Sequence, residues 1–371
     1  MRLFRWKNQR GSTTGIFDAA TRAEADLIRG QAAAVAATGI KKSGFVPDII
    51  IGHPGWGETL HLKAIFPEAK LILFAEFYYK HFGADVNFDR EFETPSLAGA
   101  MRSTGKNATG VLAYAMADLL VSPTHFQAST FPPIFRDRMT IHHEGVDLSQ
   151  ARSRPNARIE LASGIVLDRS TPVITFINRN FERLRGFHIF MRALPEFLEA
   201  VPEAHILAIG ADDNGYGGPR ADGKTWRQAM FDELGDRLDR SRVHFLGRVE
   251  HAKMIDCLSI GAAHVYYTYP FTLSWSLVEA MACECLILGS DTAPVRDAIT
   301  NGENGVLLDF FDVKALARAM IAAVREPGRY AGMRKQARVT ALARFDHKTV
   351  GVPGWIELID DVVNRSSCGR D

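Results

Sequence analysis

Long apolar runs are missing from this 371-residue chain. No stretch approaches the roughly 20 consecutive apolar residues that carry a helix across a bilayer. Charge of one sign is missing too: 44 Lys and Arg face 43 Asp and Glu, a net charge of +1, with no long basic block to draw nucleic acid. Cysteine is scarce. Cys257, Cys283, Cys285 and Cys368 make up the whole set, too few for a disulfide framework and suited to the reducing cytoplasm. Cys283 and Cys285 are close in sequence, but no second Cys or His pair stands nearby at metal-ligand spacing, so a buried structural role is expected and no metal. The hydrophobic share, by contrast, is 46%. That is ample for two domains, each with its own core.

Residues 1–16 are short and partly basic (Arg2, Arg5, Lys7, Arg10) and read as a solvated edge rather than a membrane-surface helix. An Ala-rich helix is expected over 17–38, and strands at 47–51 and 71–74. A loop over 83–94, a helix over 97–117, a strand at 119–122, a short helix over 126–131 and a strand at 139–143 complete this half. The segment 148–158 has little apolar content and reads as a linker. Beyond it, alternation of strand and helix restarts with strands near 173–177, 204–209 and 243–246 and helices near 187–198, 226–234 and 253–258. Two βα series in succession imply two Rossmann-like domains across a cleft. The expected division is 1–150, 159–350, and a C-terminal segment 351–371 whose helix returns toward the first domain. The first half opens on no strand and glycine turn, so its sheet is expected to lack an opening βα unit, with the true start upstream of Met1.

The densest signal lies at 267–305. An apolar strand ends near Thr268, a turn follows at Tyr269-Pro270-Phe271-Thr272, and Ser274 is a good N-cap for a helix that buries Leu277, Val278 and Met281. A second buried strand runs over 285–289. Strand, turn, helix and strand form a βαβ unit, and a helix amino terminus at a strand's carboxyl end suits phosphate. A rival signal, Gly218 to Thr225, fits the phosphate loop pattern G-x4-G-K-[ST]. It lacks a strand directly before it, and Pro219 removes an N–H, so a mobile flap beside the nucleotide site is the better reading.

The stretch Tyr269 to Cys283, with Ser290 to Ile299 and Asn304 to Phe311, resembles the donor site of retaining glycosyltransferases of family 4. These have the GT-B fold, and the match is to a bacterial subgroup reading YPFxLSWSLxEAMAC, SDTAPVREVI and NGxLVDFF. Asn178 to Phe187 resembles the same family's RNxExxRGF segment, and Phe245 to Val249 its FLGRV. The resemblance implies a cytoplasmic hexosyl transfer enzyme of polysaccharide biosynthesis, peripheral membrane contact being left open. It would use a nucleoside diphosphate sugar (UDP or GDP) as co-substrate, no cofactor and no metal, and would act with retention on a glycan or lipid-linked acceptor.

By that resemblance, Arg179 and Arg185, before Gly186, hold the diphosphate, and Thr272, Leu273, Ser274 and Trp275 present N–H groups to it. Glu279 binds the ribose, while Gly210 and Arg248 border the nucleotide. The family's first acid is absent, since Phe271 stands there, and Glu284 replaces a usual glycine. In the first half, HPGWGE and the run around Glu76 place His53, Trp56, Glu76 and Tyr78 on the acceptor side, Glu76 being the candidate for contact with the transferred sugar. An inactive or binding-only relative, and a sugar-nucleotide epimerase of the same fold, are the alternatives.

Overall fold

A computed structural model describes residues 2–364 and divides the chain into two compact units. One unit holds the residues up to Glu144, the short stretch Pro270–Thr272, and the residues from Val352 on; the other holds Gly145–Tyr269 and Leu273–Gly351.

The first unit carries β1 (Ile49–Gly52), β2 (Lys70–Phe74), β3 (Leu119–Ser122) and β4 (Met139–Ile141), with helices α1 (Thr21–Lys42), α2 (Leu62–Ile65), α3 (Leu97–Met116), α4 (His125–Ser129) and α5 (Pro133–Arg136). The four strands are parallel and pair in the order β1-β2-β3-β4. Alternation along β2 follows from the two-residue period of a strand. Leu71 and Leu73 pack with Ala113 and Tyr114 of α3, and Ile72 points to the other face, where Trp355, Leu358, Ile359 and Val362 cover it. The order shows no reversal among the described residues, and β1 stands at an edge with Ile51 51% exposed.

One buried carboxylate ties this unit together. Asp26 of α1 is 2% exposed and accepts from Arg22 Nε at 2.9 Å, Arg29 Nη1 at 3.0 Å and Thr109 Oγ1 of α3 at 2.8 Å. Arg22 also donates to the Gly55 carbonyl, so the clamp reaches the HPGWGE turn. Gly57 closes that turn at φ 91°, and a Cβ there would lie 2.1 Å from the Asp26 carbonyl oxygen. Only glycine allows the turn and α1 to approach so closely.

The second unit opens with a small antiparallel hairpin, β5 (Ile159–Glu160) and β6 (Val166–Leu167), and then builds a six-stranded sheet. Its strands are β7 (Val173–Asn180), β8 (His205–Ala211), β9 (Val243–Gly247), β10 (Ala263–Tyr266), β11 (Ile287–Ser290) and β12 (Val306–Leu308). Its helices are α6 (Phe187–Ala200), α7 (Trp226–Leu234), α8 (His251–Ile260), α9 (Trp275–Ala282), α10 (Ala293–Arg296), α11 (Val313–Arg325) and α12 (Ala331–Phe345). All pairings in the large sheet are parallel, in the order β12-β11-β10-β7-β8-β9. α9 follows its N-cap Ser274, and Leu277, Val278 and Met281 are fully buried.

Two details differ from the sequence reading, and a third explains an oddity in it. β7 runs three residues beyond Ile177, because Asn180 still pairs with Ala211 after a register shift. The segment 148–158 is no exposed linker: Leu148, Ala151 and Ala157 are buried in the second unit's core. A few well-spaced apolar residues suffice there, where average composition suggested none. Glu284 adopts φ 58° directly after α9, the left-handed turn that follows many helices and explains why glycine suits the position. The last helix, α13 (Val352–Asn364), packs on β2 and β3 of the first unit through Trp355, Leu358, Ile359 and Val362. Cys368 lies outside the described residues.

Removing the Asp26 carboxylate leaves two guanidinium groups without their shared partner. Asp26→Ala is expected to cost about 3 kcal/mol of stability. Urea unfolding of the variant against wild type measures it.

Candidate functional site

Strand order decides where a ligand sits in the second unit. The chain leaves β7 for β8 and β9 on one side, then returns to the other side for β10, β11 and β12. The connections after β7 and β10 therefore diverge and leave a crevice at the carboxyl ends, the usual ligand position of an open α/β sheet. A cavity of about 800 Å³ opens there. Asn178, Arg179 and Asn180 line it from β7, Gly210, Asp213 and Asn214 from β8 and its exit, Arg248 and Val249 after β9, and Ser274 and Ser276 at the start of α9.

The register shift in β7 falls at Asn178 and Arg179 and re-aims them out of the ladder. Arg179 is exposed and has no hydrogen bond or ion pair with any described residue. Its guanidinium fork is therefore available to an anion. Arg185 is buried; its Nη1 donates to Thr268 Oγ1 at 3.0 Å, and it also bonds the Tyr266 hydroxyl. Tyr266 Oη in turn accepts the Ser274 N–H at 2.8 Å, so Arg185 is linked through one phenol to the cap of α9. Gly186 follows at φ 68°, and a Cβ there would lie 2.3 Å from that of Tyr267. No other residue lets the Arg185 turn lie against the end of β10.

Glu182, in the same turn, is buried, and burial raises its pKa. It accepts the Gly217 N–H at 3.1 Å and so fastens the loop after β8 beside the cavity. The phosphate-loop look-alike belongs to this loop and forms no cradle. Lys224 Nζ is 2.7 Å from Asp232, Arg220 pairs with Asp222, and Thr225 caps α7 with a reciprocal bond to Gln228.

Arg179, Gly210, Arg248 and Ser274 thus share one cavity. Arg185, Gly186, Leu273, Trp275 and Glu279 are not among its lining residues, although Arg185 and Gly186 support its wall. Thr272 and Phe271 are buried, Leu273 packs against the core, and Trp275 is exposed. Glu279 Oε1 lies 2.6 Å from His251 Nε2, with the carboxylate side chain mostly covered and the imidazole open to solvent. His251 was not singled out in the sequence, and neither were Asn178, Asp213 and Asn214. Their signal was only position, at or shortly after the carboxyl end of a strand.

In the first unit β1 and β2 are neighbours, so the residues at their carboxyl ends meet. His53 Nδ1 accepts the Gly55 N–H at 3.1 Å, which leaves Nε2 to carry the proton and donate to Glu76 Oε2 at 3.2 Å. Trp56 stacks on His53 with ring centroids 4.8 Å apart. Gln127 Nε2 holds the Glu76 carbonyl at 2.9 Å, and the Tyr78 N–H donates to Thr130 Oγ1 at 3.1 Å. Beyond them, Asn107 bonds both N–H and C=O of Tyr79, and Lys106 lies over the Tyr79 ring, 4.6 Å from its centroid. Asp85 stands close by with one buried oxygen unpartnered. Burial pushes its carboxyl up to about 6, against the pull of Lys106. Asp85, Lys106, Asn107 and Gln127 escaped the sequence reading, since they lie apart in sequence and converge only through the fold.

Two family models match. The one described as "Glycosyl transferase family 4 group" covers residues 1–151, and "Glycosyl transferases group 1" covers residues 160–340. A D-inositol 3-phosphate glycosyltransferase of Rhodococcus jostii is 25% identical over 201 residues, which are 54% of this chain and 43% of that protein. A GDP-mannose-dependent alpha-(1-6)-phosphatidylinositol monomannoside mannosyltransferase of Mycolicibacterium smegmatis is 26% identical over 63% of this chain and 60% of its own length. The chain spans about half the length of the curated relatives it matches. In structure, sucrose-phosphate synthase from Thermosynechococcus elongatus superposes with a TM-score of 0.69 at 18% identity, covering 92% of this chain and 80% of that one. HepE from Anabaena, in complex with UDP and glucose, superposes with a TM-score of 0.62 at 16% identity, covering 90% and 82%. The fold is GT-B. Each half of the chain thus matches a glycosyltransferase family model, the family 4 group in the first half and group 1 in the second.

The Asp85 carboxyl gives the first unit a pH signature. Its folded pKa lies above its unfolded value, so the folded state holds the proton more tightly and stability falls as pH rises from about 4 to about 6. The loss is on the order of 2 kcal/mol. Asp85→Asn is expected to remove that fall; chemical denaturation at a series of pH values checks it.

Proposed function

We propose that this protein transfers a hexosyl group from a nucleoside diphosphate sugar to a glycan or lipid-linked acceptor, with retention of configuration and without a metal. The single observation that carries the reading is the cavity at the strand-order reversal, where Arg179 has no partner among the described residues and Ser274 and Ser276 open a helix. Breaking the bond between the anomeric carbon and the phosphate oxygen sends its electron pair to the diphosphate, so stabilising that leaving charge is the main demand. Arg179 meets it with a guanidinium fork unpartnered among the described residues and Arg185 with one held from the wall, helped by the amino end of α9. Glu279 takes the ribose hydroxyls, exchanging its bond to His251 for them. Gly210 and Arg248 border the base. Retention rests on family resemblance, and no covalent nucleophile is assigned.

The first unit takes the acceptor side. His53 fixes the Glu76 carboxylate, which contacts the transferred sugar, while Trp56 and Tyr78 offer rings for stacking. The donor is a UDP- or GDP-sugar; HepE was solved with UDP, and one relative is described as GDP-mannose-dependent. A role in polysaccharide biosynthesis at the cytoplasmic side, with peripheral membrane contact, follows from the lipid-linked acceptor class. Phe271 supports a second reading, since a buried phenyl group stands where the family carries its first acid. That reading is a sugar-nucleotide-binding relative without transfer, or an epimerase, and donor turnover without any acceptor would identify the latter.

Calorimetric titration of UDP, GDP and ADP tests the donor site. One nucleotide is expected to bind, about tenfold or more weakly in both Arg179→Ala and Glu279→Ala, as loss of a charge-assisted hydrogen bond requires. A folded wild type that binds none of the three, or binding indifferent to both substitutions, contradicts it.

A further inference from the structure

The second unit holds another cavity at the opposite edge of its sheet. It lies at the amino ends of β7 and β10, where Pro172 and Ala262 precede the strands, and has a volume of about 440 Å³. That is within the range of small-molecule sites, roughly 300–1,000 Å³. Arg169 and Arg334 both line it. Arg334 Nη2 donates to the Ala262 carbonyl and Arg169 Nη2 to the Ser153 hydroxyl. No carboxylate among the described residues forms an ion pair with either.

Two guanidinium groups turned into one partly enclosed space repel each other unless an anion joins them. Burial and the charge of Arg169 together pull the pKa of Arg334 down, the mark of that cost. The thiols of Cys283, in the wall, and Cys285, behind it, supply no counter-charge, because burial pushes Cys285 up to about 12 and Cys283 higher still. Glu284 also lines the cavity, held in its left-handed conformation with the carboxylate 3.9 Å from Arg338 Nε. A side chain kept at a position that costs about 1 kcal/mol in any residue but glycine is a pointer to use rather than packing. Ser153 and Ser170 add hydroxyl groups at the rim.

We propose that this cavity is a second ligand site, separate from the donor cavity, for a small phosphorylated metabolite. Its phosphate lies between Arg169 and Arg334, and a hydroxyl group of its organic part donates to Glu284. A phosphomonoester dianion matches two facing forks better than a carboxylate, which offers one charge and two oxygens. The site does not depend on the glycosyl-transfer reading, since none of its residues belongs to the donor cavity.

Glycerol 3-phosphate and inorganic phosphate, titrated calorimetrically into the full chain, are the probes. Both are expected to bind one to one, at least tenfold more weakly in Arg169→Ala with Arg334→Met, and unchanged in Arg185→Ala. Glu284→Gln is expected to weaken glycerol 3-phosphate about threefold and leave inorganic phosphate alone. Arg169→Glu, an exposed position on a loop, carries the test if Arg334→Met does not fold. Binding of neither probe to folded wild type overturns the proposal. So does binding that survives Arg169→Glu, or that is lost in Arg185→Ala, which would place the anion in the donor cavity.

Discussion

The reversal of strand order between β7 and β10 governs the placement of polar groups in the second unit. Parallel strands are buried on both faces, so β7, β8 and β10 are mostly apolar, and Thr175 and His264 inside the sheet pair with each other at 3.0 Å. Charged side chains stand in these strands only where the sheet ends. At the reversal the flanking connections part, and Asn178, Arg179 and Asn180 gather on one side with Ser274 and Ser276 on the other. Arg185 is the brace between them. From a buried position it binds Thr268 and Tyr266, and Tyr266 fixes the first N–H of the α9 cap. The α9 cap is thus held by side chains that are themselves packed, which limits the reorganisation needed there when charge arrives.

The same logic runs in the first unit at smaller scale. Adjacent parallel strands β1 and β2 end side by side, and the Gly55 N–H fixes the tautomer of His53 that donates to Glu76. His53 is a neutral donor in that tautomer, and a partly exposed hydrogen bond of this kind contributes about 1 kcal/mol. Its consequence is orientation rather than stability. Rigidity comes from behind, where Asp26 locks α1, α3 and the HPGWGE turn to one another.

Much of this was legible in the sequence because backbone geometry leaves marks there. Gly186 and Gly57 are forced by close approach, Ser274 by the need for a cap, and the apolar residues of α9 by a fully buried helix. What escaped has no local mark. His251 meets Glu279 across 28 positions, and Asp26 meets Thr109 across 83. The burial of Ala151 and Ala157 was hidden because a packed segment needs only a few apolar residues at the right spacing. Glu284 was visible only as an oddity, and its backbone angle supplies the reason. The extension of β7 past Ile177 was unreadable for a related cause: Asn, Arg and Asn look like a loop, and only pairing with β8 makes them strand.

Amide hydrogen exchange in the presence and absence of the nucleoside diphosphate that binds tests the central claim most directly. The account places that ligand at the carboxyl ends of β7 and β8 and the start of α9. Slowed exchange is therefore expected at 178–186, at 210–214 and at 273–279 together, with the strands' amino ends unchanged. Protection confined to 218–225, or to the first unit alone, would contradict it.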